Sequence, residues 1–425
     1  MTDTLADQFG CHTDYDPSAM PVDLARKLLL DTLSPVEGTE TLPLSDALGR
    51  ILAVALRSPL NVPPHDNSAM DGYGLRGADL VADAPVRLRV VGAAFAGQPC
   101  DVVLGAGEAV RIMTGAKLPA GVDTVVMQEV VQTDGDWVVI PAGQRPGQNV
   151  RKAGEDLAEG GLALAAGTLI RPAELGLLAS IGIAEVQVRR RLKVAIFSTG
   201  DEVTPIGTPL KEGGIYDSNR YSLFGLLSRL GVEVIDGGVL KDDPVALEAA
   251  FREAARIADV VLTSGGVSVG EADFTRDMMA RLGEVLFWKI SMKPGRPMAF
   301  GRIGQGSEGA WLFGLPGNPV AVMVTFYQFA RPALMRLAGQ DPVPEIPTLK
   351  VQCTSPIRKQ PGRTEFQRGV LYPENGAWKV RTTGAQGSGM LSSMATANCF
   401  IVLPENQGRV DAGAWVEVQV LDGIV

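Results

Sequence analysis

At 425 residues, 46% hydrophobic and 20% charged, the chain is long enough for about two to four domains with cores of their own. A net charge of −9 argues against a non-specific nucleic-acid binder, which presents a basic face, and leaves room for an anionic small ligand held by local Lys and Arg. Cys11, Cys100, Cys353 and Cys399 lie far apart with no C-x-x-C pair, and the chain has only His12 and His65, so a Cys- or His-based metal site is not expected.

In chain order, residues 1 to 15 read as a polar tail without the apolar segment a secretory signal needs. No membrane is implied and a cytoplasmic compartment is the expectation, because the longest uncharged stretch, "FGLPGNPVAVMVTFYQFA", is broken by Pro316, Gly317 and Pro319. Apolar residues recur at helical spacing in "PVDLARKLLLDTL" (21 to 33) and in "RPAELGLLASIG" (171 to 182). From about 54 to 150 the chain turns to short Val-rich runs, with an Asp-Gly turn inside "VVQTDGDWVVI". These textures predict a β-rich domain at 54–150, inserted into a discontinuous linking domain of helical and extended segments, 16–53 with 151–190.

From 191 to 340, strand-like "RLKVAIF", "VEVI" and "DVVLTSGG" alternate with helical "DSNRYSLFGLLSRLG" and "DDPVALEAAFREAARIA". Such alternation predicts a doubly wound α/β domain with a parallel sheet. "VLFWKIS" and "GAWLFGLPG" add strands, and "PVAVMVTFYQFARPALMRLAG" reads as a long closing helix. Beyond the proline-rich "DPVPEIP", residues 345–425 alternate again, with an Asn-Gly turn, as a small all-β, barrel-like domain.

In an α/β sheet the ligand sits beyond the carboxyl ends of the strands. There the sequence places "STGDEV" with Asp201 and Glu202, "KDDP" with Asp242 and Asp243, "TSGGVSVGEADF" with Glu271 and Asp273, "WKISMKPGRP" with Lys289, Lys293 and Arg296, and "GLPGNPV" with Gly317 or Asn318 at a helix start. Glycine-rich backbone suits phosphate oxygens, whereas carboxylates repel them. A phosphoanhydride carrying Mg²⁺ reconciles the two, since Mg²⁺ bridges carboxylate and phosphate oxygens. Each piece also has a plainer reading: a glycine loop as a tight turn, Asp242 or Asp243 as a helix cap, the lysines as solvated side chains. "NVPPHDNSAMDGYGL" (61 to 75) is a polar, constrained loop that an Asx-turn would also explain, and "GRTEFQRGV" with "GAQGSG" puts arginines, Ser388 and glycine N–H groups where a compact oxyanion could bind.

Taken together, "PPHDNSAMDGY", "RIMTGAKLPAGVDTVVMQE", "STGDE", "IYDSN", "SGGVSVGEAD", "KPGRP", "GLPGNPV" and "EFQRG" closely resemble the MoeA family, the molybdopterin molybdenumtransferases, with the gephyrin E domain as a relative; the resemblance runs from about residue 16 to 425. It implies an enzyme that inserts molybdate into adenylylated molybdopterin, hydrolyses the phosphoanhydride and releases AMP with Mg²⁺. It also implies a homodimer with a composite active site, a molybdopterin adenylyltransferase that supplies the substrate, and molybdoenzyme apoproteins that receive the product. By the same resemblance Asp66, Thr114, Glu202, Asp242, Asp273, Lys289 and Lys293 match catalytic positions, with Glu202, Asp242 and Asp273 near the metal. Ser264, Gly265, Gly266, Ser268, Gly270, Pro316, Gly317, Asn318 and Pro319 match the substrate loops, and Arg368 with Ser388 the molybdate pocket. Arg296 stands where relatives often carry Lys, and Ala385 where some carry His. A molybdopterin-binding scaffold without catalysis and a tungstate-handling paralogue are the alternatives.

Overall fold

The computed structural model describes residues 20–265, 278, 281–304 and 309–421, so Gly266, Ser268, Gly270 and Asp273 lie outside the described residues. The chain divides into two compact units. One comprises residues 41–48 and 52–188, the other the segments up to Glu40, Gly49–Ile51 and Arg189 onward.

The first of these is β-rich. Its six-stranded sheet uses β1 (Gly72–Leu75), β2 (Val86–Ala94), β3 (Glu108–Ile112), β4 (Thr124–Met127), β5 (Gln132–Asp134) and β6 (Trp137–Ile140), in the order β4-β1-β3-β2-β6-β5. The expected Asp-Gly turn joins β5 to β6, with Gly135 at φ 57°. Tyr73, Leu75, Leu88, Val126 and Val138 form one core of this unit. A separate cluster gathers Leu52, Ile170, Val186 and Val188 with Leu178 of the helix Pro172–Ser180.

The larger unit opens with α1 (Val22–Thr32), whose Ala25, Leu28 and Leu29 are buried in the same cluster as Leu334 and Phe313. Residues 20–40 thus group with the α/β part, unlike the 16–53 segment drawn from sequence, because the apolar face of α1 finds its partners there. The α/β sheet contains β7 (Lys193–Thr199), β8 (Glu233–Leu240), β9 (Val260–Ser264), β10 (Gly283–Lys289), β11 (Pro297–Ile303) and β12 (Ala310–Leu315), ordered β8-β7-β9-β12-β11-β10. The strands β8, β7, β9 and β12 run parallel; β11 is antiparallel to both neighbours. The sheet is therefore mixed, and the sequence reading missed β11.

Strands β7 and β9 are buried on both faces, as a doubly covered sheet requires. Ala195 and Phe197 face Leu247, Phe251, Ala254 and Ala255 of α3 (Pro244–Ile257). Those four positions follow i, i+4, i+7, i+8, a single helical stripe. Val194 and Ile196 face the other way, onto Leu223, Leu226 and Leu227 of α2 (Asn219–Arg229). The closing helix is α4 (Pro319–Thr325), widened through a π-helical stretch Phe326–Ala330 and resumed as α5 (Arg331–Leu337).

The C-terminal part is a closed barrel. Strands β13 (Thr348–Cys353), β14 (Thr364–Glu374), β15 (Ala377–Thr382), β16 (Cys399–Leu403) and β17 (Trp415–Val420) pair in the order β14-β15-β13-β17-β16, and β16 returns to β14. The Asn375-Gly376 turn takes φ 51° and 77°, the two left-handed positions of a type I′ hairpin. Among the described residues no helix is long and apolar enough to cross a membrane.

Candidate functional site

After β7 the chain winds to β8 on one side of the sheet, then crosses to β9 on the other, so the strand order switches at β7. Carboxyl ends at such a switch splay apart and leave a crevice. Here the crevice is a cavity of about 910 Å³, the size of a small-molecule site of roughly 300–1,000 Å³. Thr199 and Gly200 at the end of β7, Ser264 and Gly265 at the end of β9, and Pro316 and Gly317 after β12 line it. Gly265 has φ +91°, and a Cβ there would lie 2.7 Å from the Thr199 carbonyl oxygen. Only glycine lets the two strand ends approach this closely.

Four carboxylates, Asp201, Glu202, Asp217 and Asp242, face this cavity together with Lys293. The Asp242 N–H reaches Asp201 Oδ1 at 3.4 Å. Its neighbour Asp243 is the cap of α3, accepting from the N–H groups of Val245 (2.8 Å) and Ala246 (3.2 Å). The two residues of "KDDP" thus divide the readings left open by the sequence: Asp243 caps, Asp242 lines the cavity. Lys293 also meets the buried Glu365 of the barrel at 3.5 Å.

Asp217 opens the "DSNRYSLFGLLSRLG" stretch that the sequence reads only as helical. Its Oδ1 accepts from the Ser198 hydroxyl (2.7 Å) and the Arg220 N–H (3.2 Å), and its Oδ2 accepts from Arg220 Nε at 2.7 Å. Arg220 also pairs with Asp236. Burial alone would lower the Arg220 pKa, but hydrogen bonds to Asp217 and Asp236 raise it instead. Asn219 beside it donates Nδ2 to the Gly317 carbonyl at 2.7 Å, tying α2 to the loop after β12. The signal for these residues is "DSN" at the start of a helix, which sequence reasoning could not tell from ordinary capping.

The barrel contributes Gln386, Gly387 and Ser388. This loop is docked from two sides. The Ser388 carbonyl accepts the Val320 N–H in the first turn of α4 at 3.0 Å. Arg368, 1% exposed, donates to the carbonyls of Ala385 (3.3 Å), Gln386 (3.2 Å) and Gly387 (2.9 Å), and through Nε to Ser393 Oγ (2.9 Å). Burial lowers its pKa. Arg368 accordingly underpins the loop from within the barrel and is not among the residues lining the cavity.

Of the residues named from sequence, Glu202, Asp242, Ser264, Gly265, Lys293, Pro316, Gly317, Asn318, Pro319 and Ser388 are brought together. Lys289 ends β10 opposite Pro297 and does not line the cavity. Asn318 stands at the N-cap of α4 without a side-chain capping bond. Asp66 and Thr114 belong to the β-rich unit. There Asp66 accepts from Lys152 Nζ (2.7 Å) and the Ala153 N–H (2.8 Å), which hold its carboxyl below its ordinary pKa. The Thr114 N–H and hydroxyl both bind Asp71 Oδ1 at 2.7 Å. The carboxylate oxygens of Glu202, Asp201 and Asp242 are hard donors of the kind Mg²⁺ takes. Among the described residues no group of three Asp, Glu, His or Cys forms a closed cage, but Mg²⁺ does not need one: one or two carboxylates suffice when phosphate and water complete its octahedron.

Known proteins resemble the chain along nearly its whole length. Residues 20–182 match the MoeA N-terminal region (domains I and II), 195–336 a probable molybdopterin binding domain, and 350–421 the MoeA C-terminal region (domain IV). A molybdopterin molybdenumtransferase of Haemophilus influenzae is 46% identical, with 94% of this chain and 98% of the relative covered. One from Nostoc sp. is 38% identical over 94% and 93%. A solved molybdopterin biosynthesis MoeA protein of Pyrococcus horikoshii superposes with TM-score 0.79 at 32% identity, covering 95% of this chain and 100% of that one.

Proposed function

Because the chain belongs to the MoeA family of molybdopterin molybdenumtransferases, we propose that this enzyme inserts molybdate into adenylylated molybdopterin, hydrolysing the phosphoanhydride and releasing AMP. The observation that carries this reading is the cavity itself, where Glu202, Asp242 and Lys293 meet the glycine-bearing strand ends and the Ser388 loop. A ligand with an anhydride, a metal ion and an oxyanion is the one that uses all of these groups. Lys293 offsets the charge of the anionic substrates, and the Gly265 and Gly317 backbones allow close approach of phosphate oxygens. Asp242 and Glu202, with Asp273, would hold Mg²⁺, which when bound lowers the charge repulsion around the anhydride. Ser388 faces the molybdate, its loop kept in shape by Arg368.

The same reading makes the enzyme a cytoplasmic homodimer with a composite active site. Its substrate comes from a molybdopterin adenylyltransferase, and its product goes to molybdoenzyme apoproteins. The test is to incubate the purified chain with adenylylated molybdopterin, Mg²⁺ and molybdate, following AMP release and activation of a molybdenum-free apoenzyme. Molybdate-dependent AMP release, lost in Asp242→Ala, is the expected result. Tight binding of the adenylylated substrate without AMP release under molybdate or tungstate would leave a carrier or scaffold instead.

A further inference from the structure

Two side chains at the carboxyl ends of β7 and β9, Ser198 and Ser264, form with Asp217 at the start of α2 a hydrogen-bonded relay with a defined direction. Asp217 is 3% exposed and Ser198 and Ser264 are 2% exposed, yet all three border the cavity. A hydroxyl has one proton to give. Ser198 gives its own to Asp217 Oδ1 at 2.7 Å, because a carboxylate paired with the Arg220 guanidinium can only accept. The 3.2 Å contact between the Ser198 and Ser264 hydroxyl oxygens must then use the proton of Ser264. Ser264 is left with lone pairs alone to offer the cavity. An oxygen of phosphate or molybdate would be repelled at that point, whereas an N–H group would be held.

We infer that Asp217 is a positioning residue that, acting through Ser198, makes Ser264 a hydrogen-bond acceptor, and that the substrate group seated against Ser264 is the amide or amino N–H edge of a heterocyclic ring. The inference rests on the molybdenumtransferase reading and deepens it: it reserves the Ser264 hydroxyl for a ring and leaves the anionic groups to Lys293 and the glycine backbones. Two rings of the substrate carry such an edge, the pterin and the adenine. Their shared chemistry is the N–H donor, and the experiment separates them.

Asp217→Asn keeps the shape but reverses the relay. The shorter bond from Arg220 Nε (2.7 Å) demands the amide oxygen, so the amide NH₂ faces Ser198 at the cost of the longer 3.2 Å bond from the Arg220 backbone N–H; the Ser198 proton then turns to Ser264, whose proton turns to the cavity. Calorimetric titration of the full-length protein with molybdopterin alone, AMP alone and molybdate alone would compare wild type, Ser264→Ala, Asp217→Asn and the double variant. The expected result is a loss of affinity of about tenfold for one of the two rings in each single variant. Molybdate affinity stays unchanged, and the double variant binds no worse than Ser264→Ala, because Asp217 acts only through Ser264. If Asp217→Asn does not fold, Ser198→Ala is read in its place, with a loss of about threefold that disappears in the Ser264→Ala background. Ring affinity unchanged in Ser264→Ala, weakened molybdate binding, or additive losses in the double variant would each overturn the inference while the function stands. A wild-type protein that binds neither molybdopterin nor AMP overturns both.

Discussion

Arg368 and Gly265 show how far a single residue can depart from its plainest reading. An arginine in "EFQRG" next to "GAQGSG" reads as an oxyanion ligand, but the structure commits its guanidinium to three loop carbonyls and Ser393. Lysine cannot span that set, since its donors radiate from one point and not from a planar fork. Arg368→Lys should therefore cost about 1–3 kcal/mol and lower turnover by loosening the Ser388 loop, seen as a reduced melting temperature together with raised proteolysis between residues 383 and 390. Gly265→Ala meets both a left-handed backbone and the Thr199 carbonyl; about 1–3 kcal/mol of destabilisation and loss of AMP release are expected. Burial pushes the Cys399 thiol up to about 12 from an ordinary 9.0. Folding thus favours its protonated form, so this contribution to stability is complete below pH 9.0 and is lost as pH rises toward about 12. Native Cys399 should resist alkylation at pH 8, checked by peptide mapping before and after unfolding.

Helix termini carry much of the chemistry at the scale of elements. The tandem Asp242–Asp243 illustrates the separation of roles: Asp243 caps α3, and Asp242 lines the cavity. Asp243→Ala should cost about 1 kcal/mol of stability with AMP release retained, whereas Asp242→Ala should abolish AMP release. Paired thermal unfolding and turnover measurements check both. The closing helix shows what periodicity does not reveal. "PVAVMVTFYQFARPALMRL" reads as a continuous helix, but Pro332 has no N–H to complete the ladder, and the turn before it widens into the π-helical stretch Phe326–Ala330. Strand β11 escaped the sequence reading for a related reason. "PMAFGRI" opens on proline and carries a glycine at Gly301, where a Cβ would lie 2.1 Å from the Glu284 carbonyl oxygen of the neighbouring strand, so composition alone argues against a strand.

For the molecule as a whole, the decisive fact is which parts share a core. The α/β sheet, α1 and one side of the barrel bury Phe313, Leu334, Leu29, Phe366 and Phe400 in a single cluster. A barrel expressed alone from residue 345 would expose Phe366 and Phe400 and is expected to aggregate, while residues 41–188, with cores of their own, should give a fragment that unfolds cooperatively; gel filtration and thermal denaturation of the two fragments test this. The sequence by itself determined the α/β alternation, the two hairpin turns and the loops at the strand ends, because each depends on residues close together in the chain. Burial patterns and backbone chemistry act over a few residues and leave a readable trace there. Only the tertiary structure decided the antiparallel edge of the sheet, the closure of the barrel, the home of α1 and the duties of Arg368 and Asp217. Those depend on partners that are not neighbours along the chain, from 17 residues away for Arg368 to 302 for Arg26 of α1, or on the direction in which a hydroxyl proton points, and neither is written in local spacing.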